Sequence, residues 1–254
     1  ADMLKAIILA AGKGTRMKSD KPKVVHEVLG KPMVYYSIEA AKNAGCEKVC
    51  VIVGYKAEEV EHSIHATYES LGLADEMNNR VSYALQKEQL GTGHAVKCAS
   101  DFIGNDGDVV VLCGDTPLVT ADTLESAIRR HKTDGNGVTV ISAMLDDPFG
   151  YGRIIRDDKG LDRIVEQKDA TEEEQAVCEV NSGMYIFQCD ALLSALSQVK
   201  NDNAQGEYYL PDTIGIIKAM GLPVDAVPMD DADQIRGVNT LEQLVEAEEI
   251  MKNR

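Results

Sequence analysis

Four short apolar runs constrain this chain more than any other feature. They are residues 4–10 (LKAIILA), 48–53 (KVCVIV), 108–113 (DVVVLC) and 137–144 (GVTVISAM), and a helical pattern separates each from the next. A strand that is apolar on both sides has to be covered on both faces. Such strands alternating with helices are the pattern of a parallel sheet with crossover helices. Helical patterns at 34–44, 57–68, 93–100 and 123–131 supply the cover, and 81–85 suits a short strand. The style changes after residue 150. Residues 152–166 read as a hairpin turning at Asp158-Lys159-Gly160. A polar, acidic connector at 171–175 leads to a strand at 179–188, a helix at 190–199 and a short strand at 224–227. A closing helix fits 240–251, with Leu241, Leu244, Val245 and Met251 on or near one face. The expected class is α/β, with a mostly parallel mixed sheet flanked by helices and a small hairpin subregion packed against it. A chain of 254 residues that is 44% hydrophobic has enough apolar side chains for one large core or two small ones.

Lys and Arg number 26 against 42 Asp and Glu, giving a formal net charge of −16. That balance argues against non-specific DNA or RNA binding and against anchorage on anionic lipid, both of which need cation-rich faces. The charge is uneven. Residues 1–31 hold Lys5, Lys13, Arg16, Lys18, Lys21, Lys23 and Lys31 against Asp2, Asp20 and Glu27. Such a segment reads either as a solvated charge run or as the landing place of one anionic ligand. The six cysteines, Cys46, Cys50, Cys98, Cys113, Cys178 and Cys189, form no C-x-x-C pair and have no His-rich partner cluster, which disfavours a zinc site. No apolar run approaches the ~20 residues of a membrane span. The run 6–11 is too short for a signal peptide. The expected setting is the reducing cytoplasm. Ala1-Asp2 precede Met3, and Met3 reads as the natural start.

The first strand delivers the turn Gly12-Lys13-Gly14, followed by Thr15-Arg16. Bare backbone N–H groups beside positive side chains make a phosphate holder. The dinucleotide fingerprint is excluded because its third glycine position is Met17, and a Walker loop because no Gly-Lys-Ser/Thr closes the turn. Arg16, and Lys23 of Lys21-Pro22-Lys23, supply the fixed cations that triphosphate chemistry needs. The strand at 109–112 runs into Gly114-Asp115-Thr116-Pro117. Ligands of parallel sheets lie beyond the carboxyl ends of the strands. Asp115 therefore shares the crevice of the glycine turn if the two strands are neighbours. There it is either a Mg²⁺ ligand beside substrate phosphates or the cap of a turn before Pro117, and residue types alone leave both open. In the segment Gln86–Ala95, the Gln86 amide can donate and accept as a nucleobase edge requires, and Gly91 lets a backbone approach closely. The same segment also reads as a polar loop with a helix cap at Thr92.

In order along the chain, L-A-A-G-K-G-T-R-M, P-K-V-V-H, Q-L-G-T-G-H-A, G-D-T-P-L, G-Y-G-R-I, E-V-N-S-G and G-V-N-T stand at spacings that resemble the N-terminal uridylyltransferase domain of the bacterial GlmU family. Members of that family are bifunctional N-acetylglucosamine-1-phosphate uridylyltransferases and glucosamine-1-phosphate acetyltransferases. The opening motif is common to many sugar nucleotidyltransferases. Q-L-G-T-G-H-A, G-Y-G-R-I and N-A-Q-G-E-Y-Y are more specific to this branch. The resemblance implies a Rossmann-like nucleotide-diphospho-sugar transferase fold over 3–254. The nucleotide half would lie at about 3–120, the sugar-binding half at about 121–239 and the closing helix at about 240–251. It implies Mg²⁺-dependent, in-line attack on the α-phosphorus of UTP by N-acetylglucosamine 1-phosphate. The products would be UDP-N-acetylglucosamine, a peptidoglycan precursor, and pyrophosphate. The roles it implies place Leu9, Ala10, Ala11, Gly12 and Gly14 at the nucleotide, Arg16 and Lys23 on the phosphates, and Gln86, Gly91 and Thr92 on the uracil. Cys113, Gly114 and Asp115 would border the ribose and sugar, while Gly152, Glu166 and Asn181 hold the N-acetylglucosamine. Asp115 and Asn239 would bind Mg²⁺, with Asn239 at the sugar side, and Arg16, Lys23 and Asp115 would be the catalytic set.

Three departures from the family pattern stand out. Cys113 replaces a Tyr carried by some members, and Phe149 stands where Thr is usual; both are expected to tune sugar affinity. The family continues into a β-helix of hexapeptide repeats that binds acetyl-CoA and trimerises. No hexapeptide periodicity occurs before Arg254, so acetyl transfer and the trimer contacts are not expected of this chain, whether it is a truncated or a stand-alone enzyme. Rival readings are a nucleotidyltransferase for another sugar 1-phosphate or for dTTP, and a catalytically silent regulatory subunit on the same fold. The second rival predicts loss of Arg16, Lys23, Asp115 or Asn239, and all four are present.

Overall fold

The computed structural model describes residues 3–254; Ala1 and Asp2, which precede the expected start at Met3, lie outside the described residues. The chain begins with β1 (Leu4–Ala10), a small hairpin of β2 (Glu27–Val28) and β3 (Lys31–Pro32), α1 (Met33–Asn43), β4 (Lys48–Val53), α2 (Ala57–Ser70), α3 (Ala74–Arg80) and β5 (Val81–Leu85). It continues through α4 (Thr92–Lys97), α5 (Ser100–Ile103), β6 (Asp108–Cys113), α6 (Ala121–Asp134), β7 (Val138–Met144), β8 (Arg153–Asp157) and β9 (Gly160–Val165). The last elements are α7 (Glu172–Gln175), β10 (Glu179–Gln188), α8 (Cys189–Leu196), α9 (Asp212–Ala219), β11 (Val224–Pro228) and α10 (Leu241–Lys252).

The main sheet runs β11-β7-β10-β6-β1-β4-β5, with β8 and β9 attached through β10. β1 pairs in parallel with β4 on one side and β6 on the other, so Leu9 stands opposite both Ile52 and Cys113. The chain steps outward from β1 to β4 and β5, then returns across β1 to place β6. That reversal opens a crevice beyond the carboxyl ends of β1 and β6. β10 is antiparallel to both β6 and β7, which makes the sheet mixed. At Asn181–Met184 the β10–β7 register shifts by a bulge, and just before it Val180 pairs with Arg153 of β8. The hairpin β8–β9 thus grows from the sheet at a bulge, where a strand bends and re-aims its side chains.

Apolar side chains cover both faces, as the continuous strands require. On one face Ala6 and Ile8 pack with Val34, Ile38, Val60, Ile64, Leu124 and Ile128 from α1, α2 and α6. On the other, Ile7 and Val111 pack with Val96, Ile103, Leu192 and Ile214 from α4, α5, α8 and α9. A third cluster of Met17, Val28, Met33, Leu118, Val238 and Ala247 binds α10 to the loops at the sheet's carboxyl edge. No helix among the described residues is long and apolar enough to cross a membrane.

Several expected elements are adjusted. The pattern at 93–100 is two short helices, α4 and α5. α6 is longer than 123–131 because the Thr120 side chain accepts from the Thr123 N–H at one end and Gly135 turns left-handed at the other. The connector at 171–175 contains the helical turn α7, closed by a capping box of Thr171 and Glu174. In α10, Leu241 and Val245 are 47% and 60% exposed, so they leave the expected apolar face. Leu244, Ala247, Ile250 and Met251 make the contact with the third cluster instead.

Leu112 is fully buried in β6, next to the turn that carries Asp115. Leu112→Ala is expected to lower unfolding free energy by about 2–5 kcal/mol, the usual range for a buried leucine truncation, read as a lower urea midpoint.

Candidate functional site

The crevice predicted by the sheet reversal is a cleft of about 300 Å³. Leu9, Ala10, Ala11 and Gly12 line it from the end of β1, and Cys113 and Asp115 from the end of β6. Gln86 and Gly91 close it from the loop before α4 and Thr92 from the first residue of that helix, and Lys23 completes it from the segment after the glycine turn. Ten of the residues assigned to the nucleotide or its borders therefore share one cavity. Gly114 lies directly behind it, with its N–H donating to the Leu9 carbonyl at 2.8 Å.

Lys23 is the centre of the polar geometry. Its Nζ donates to Asp115 Oδ2 at 2.7 Å and to Asn239 Oδ1 at 2.8 Å. Gly14 makes this possible: its φ is +71°, and a Cβ there would stand 2.5 Å from the Lys23 Cβ. The turn after β6 is closed by Thr116, whose N–H and hydroxyl both donate to the Cys113 carbonyl at 3.4 and 2.9 Å. The Asp115 carboxylate is thereby left for Lys23 rather than used as a cap of this turn. The Asp115 carbonyl accepts the Val238 N–H at 2.8 Å, bringing the loop of Asn239 to the cleft. Two hard oxygen donors thus converge on one cation. Among the described residues no group of three or more His, Cys, Asp or Glu could cage a metal. A carboxylate and an amide oxygen suit a cation that keeps most of its shell for phosphate and water, as Mg²⁺ does.

Arg16 behaves differently from Lys23. It is exposed on the turn Thr15–Met17, which buried Met17 anchors, and it makes no hydrogen bond or ion pair among the described residues. Burial first, and the Asp115 carboxylate second, push the Cys113 thiol up to about 12. It stays protonated, 3.6 Å from the Gly183 carbonyl, and is no nucleophile.

Gln86 is buried, and its Nε2 donates to the Gly91 carbonyl at 3.3 Å and meets His94 Nδ1 at 3.0 Å. Its amide oxygen is the end left for a ligand. Gly91 has φ +107°, and a Cβ there would stand 2.6 Å from the Tyr208 carbonyl. Thr92 Oγ1 accepts the Leu210 N–H at 3.0 Å, so its hydroxyl is also engaged by the chain.

Gly152, Glu166 and Asn181 gather at the root of the hairpin. The Asn181 N–H donates to the Gly152 carbonyl at 2.8 Å, and a Cβ on Gly152 would lie 3.2 Å from Glu166 Oε1. The bulge in β10 turns the Asn181 side chain so that Oδ1 accepts the Gly183 N–H at 2.8 Å and Nδ2 donates to the Tyr185 hydroxyl at 2.6 Å. Burial, then Asp212 and Asp169, push the Glu166 carboxyl above its ordinary value. Phe149 is 73% exposed on the turn before Gly152.

Sequence reasoning missed Gln89 and Glu207, which also line the cleft. Gln89 Nε2 donates to the Ala11 carbonyl at 3.1 Å. Glu207 belongs to N-A-Q-G-E-Y-Y, a motif that carried the resemblance without a role for any of its residues.

A crevice at the strand reversal of a mostly parallel, helix-covered sheet is where an α/β protein of this class binds its ligand. The nucleotidyl transferase family matches residues 5–232, and the chain belongs to that family. It is 51% identical over 252 residues to the bifunctional protein GlmU of Caldanaerobacter subterraneus subsp. tengcongensis, covering 99% of this chain and 52% of that protein. It is 48% identical, with the same coverage, to the bifunctional protein GlmU of Thermoanaerobacter pseudethanolicus. The chain therefore spans about half the length of these relatives. Among solved structures, UDP-glucose pyrophosphorylase complexed with UDP-glucose superposes with a TM-score of 0.77 at 22% identity, covering 99% of this chain and 100% of that one. The apo form of UDP-glucose pyrophosphorylase gives 0.77 at 21% identity, covering 99% of each chain. These establish the fold.

Glu166 yields a stability prediction. A carboxyl raised in the folded state costs stability when ionised and nothing when protonated. Glu166→Gln is therefore expected to raise the thermal midpoint at pH 7, with the gain vanishing as pH falls below the ordinary glutamate value of 4.5. Thermal scans of both proteins at pH 7 and pH 4 check this; an unchanged or lower midpoint at pH 7 contradicts it.

Proposed function

We propose that the protein is a uridylyltransferase that forms UDP-N-acetylglucosamine and pyrophosphate from UTP and N-acetylglucosamine 1-phosphate. The observation that carries the reading is the convergence of Lys23, Asp115 and Asn239 at the mouth of the nucleotide cleft. The identity of about half the residues to GlmU proteins over 99% of the chain supports it. The proposed division of labour puts the nucleotide at residues 3–120 and the sugar at 121–239, with 240–251 as the closing helix. All six cysteines are free thiols, which suits a reducing cytoplasm.

Asp115 and Asn239 would hold Mg²⁺, which when bound offsets the negative charge shared by the phosphates. Lys23 and the backbone N–H groups of the glycine turn bind the triphosphate. Arg16, free at the surface of the turn, reaches its outer phosphates. The Gln86 amide oxygen accepts from the uracil imide, and Gly91 and Thr92 border the base. Glu166 accepts from sugar hydroxyls, and the Gly152 and Asn181 region contacts the acetamido group. A phosphate monoester has a second pKa of about 6, so the attacking oxygen is already anionic at neutral pH. No histidine or thiolate has to remove a proton. What the protein supplies is alignment and positive charge.

Pyrophosphate release from UTP with a panel of sugar 1-phosphates, with and without Mg²⁺, tests the reading. N-acetylglucosamine 1-phosphate is expected to be the preferred acceptor; far greater activity with glucose 1-phosphate overturns the substrate assignment. Asp115→Ala and Asn239→Ala are each expected to lower kcat by about 10² or more, since one positioned electrostatic contact is worth about 3 kcal/mol in a transition state. Near-normal turnover in either variant removes it from the metal site.

A further inference from the structure

The segment Asn203–Leu210 is fastened at both ends to parts of the molecule that the proposed reaction has to align. Asn203 folds it into a compact loop: its Oδ1 accepts the Glu207 N–H at 3.1 Å and its Nδ2 donates to the Glu207 carbonyl at 2.6 Å. One end is woven into the loop before α4. There the Tyr208 N–H donates to the Leu90 carbonyl at 2.8 Å and the Gly93 N–H to the Tyr208 carbonyl at 2.7 Å. The other hold is on Asp169, whose Oδ1 accepts the Ala204 N–H at 2.8 Å and whose Oδ2 accepts the Tyr209 hydroxyl at 3.3 Å. Asp169 follows Glu166 by three residues, and its own N–H donates to the Glu166 carbonyl at 3.0 Å. A single carboxylate thus spends both oxygens on joining the hairpin to a strap that is itself tied to the nucleotide loop.

We propose that Asp169 is a positioning residue that buckles the sugar-binding hairpin to the nucleotide loop and touches neither substrate. The proposal rests on the nucleotide and sugar roles assigned above. The Glu166 end of the hairpin meets the sheet at β10, through the Val180–Arg153 pair and the bond from Asn181 to Gly152. The hairpin is also held along its length, by the Arg156–Glu179 ion pair, by the Lys218 ammonium on the Leu161 carbonyl and by Leu161 and Ile164 packed into the core with Ile214. Asp169 adds an attachment at its Glu166 end, on the nucleotide side. In-line attack needs reacting atoms about 3–3.5 Å apart, and a misplacement of about 1 Å costs on the order of 10²-fold in rate.

Asp169 also bears on its neighbours by charge, since Glu166 and Asp212 are both raised by burial and, less, by its carboxylate. A role through charge and a role through the buckle separate in Asp169→Asn. The amide keeps an oxygen for the Ala204 N–H and an NH₂ for the Tyr209 hydroxyl, but removes the charge. Asp169→Ala removes both. In Asp169→Ala, UTP affinity measured alone is expected to stay within about two-fold, while KM for N-acetylglucosamine 1-phosphate rises and kcat falls by about ten-fold or more. Asp169→Asn is expected to restore kcat to within about three-fold of wild type. Asn203→Ala, which loosens the strap without touching Asp169, is expected to reproduce the rise in sugar KM. It keeps the test open should Asp169→Ala fold poorly. A reaction-independent readout is amide hydrogen exchange, which is expected to quicken at Ala204 in Asp169→Ala. Wild-type kinetics in Asp169→Ala, or an Asp169→Asn as impaired as Asp169→Ala, overturns the buckle while leaving the proposed activity standing. A wild-type protein that releases no pyrophosphate from this substrate pair overturns both.

Discussion

The ammonium of Lys23 ties together three segments that the chain keeps far apart. Asp115 is 92 residues away and Asn239 is 216 residues away, yet both accept from the same nitrogen. The side chains of Lys23 and Asp115 are only 17% and 23% exposed, so the pair sits at the inner edge of the cleft rather than on the rim. Without the cation, the Asp115 carboxylate and the Asn239 oxygen would face each other half-desolvated, a costly arrangement. The glycine turn, the end of β6 and the loop leading to α10 are thus held to one geometry by one charge. The third apolar cluster reinforces it, since Met17, Leu118 and Val238 belong to those same three segments.

Two glycines of Q-L-G-T-G show how a motif associated with ligand binding is also a packing motif. Beta carbons at Gly91 and Gly93 would come within 2.6 and 2.9 Å of the Tyr208 carbonyl. The strap presses on this loop from behind while the loop presents Gln86 to the cleft. The loop is therefore backed by the strap, whose Ala204 N–H and Tyr209 hydroxyl are held by Asp169.

Much of this was legible in the sequence because burial on both faces leaves a mark that survives without context. The runs at 48–53, 108–113 and 179–188 are strands at those limits; 81–85 is also a strand, but at the sheet edge with none of its residues buried. Strand direction leaves no such mark: nothing in E-V-N-S-G-M-Y-I-F tells an antiparallel β10 from a parallel one. α3 was invisible because only Met77 of its seven residues is buried, which gives no period to read. The two cations of the opening motif looked equivalent, but Gly14 and Pro22 bring only Lys23 inward, while Arg16 rides above the anchored Met17. The strap escaped because most of its contacts have a backbone group on at least one side and reach across some 35 to 118 residues. Residue types carry almost no record of such partners.

Glu166 shows where stability and specificity pull apart. Burial, and the repelling carboxylates of Asp212 and Asp169, disfavour the ionised form of Glu166, and no side-chain donor among the described residues offsets them. On the reading that the hairpin takes the sugar, hydroxyl groups of the ligand supply those donors. The site then binds what restores its missing hydrogen bonds, and rejects an analogue lacking a hydroxyl by more than the loss of one contact, because the half-buried carboxyl is left unpaired. An amide at the same place would make the free protein more stable, yet it would discriminate less, having no buried charge for the sugar to satisfy. On that reading the acid that destabilises the free protein is the physical source of its selectivity, while Lys23 orders the segments around the cleft.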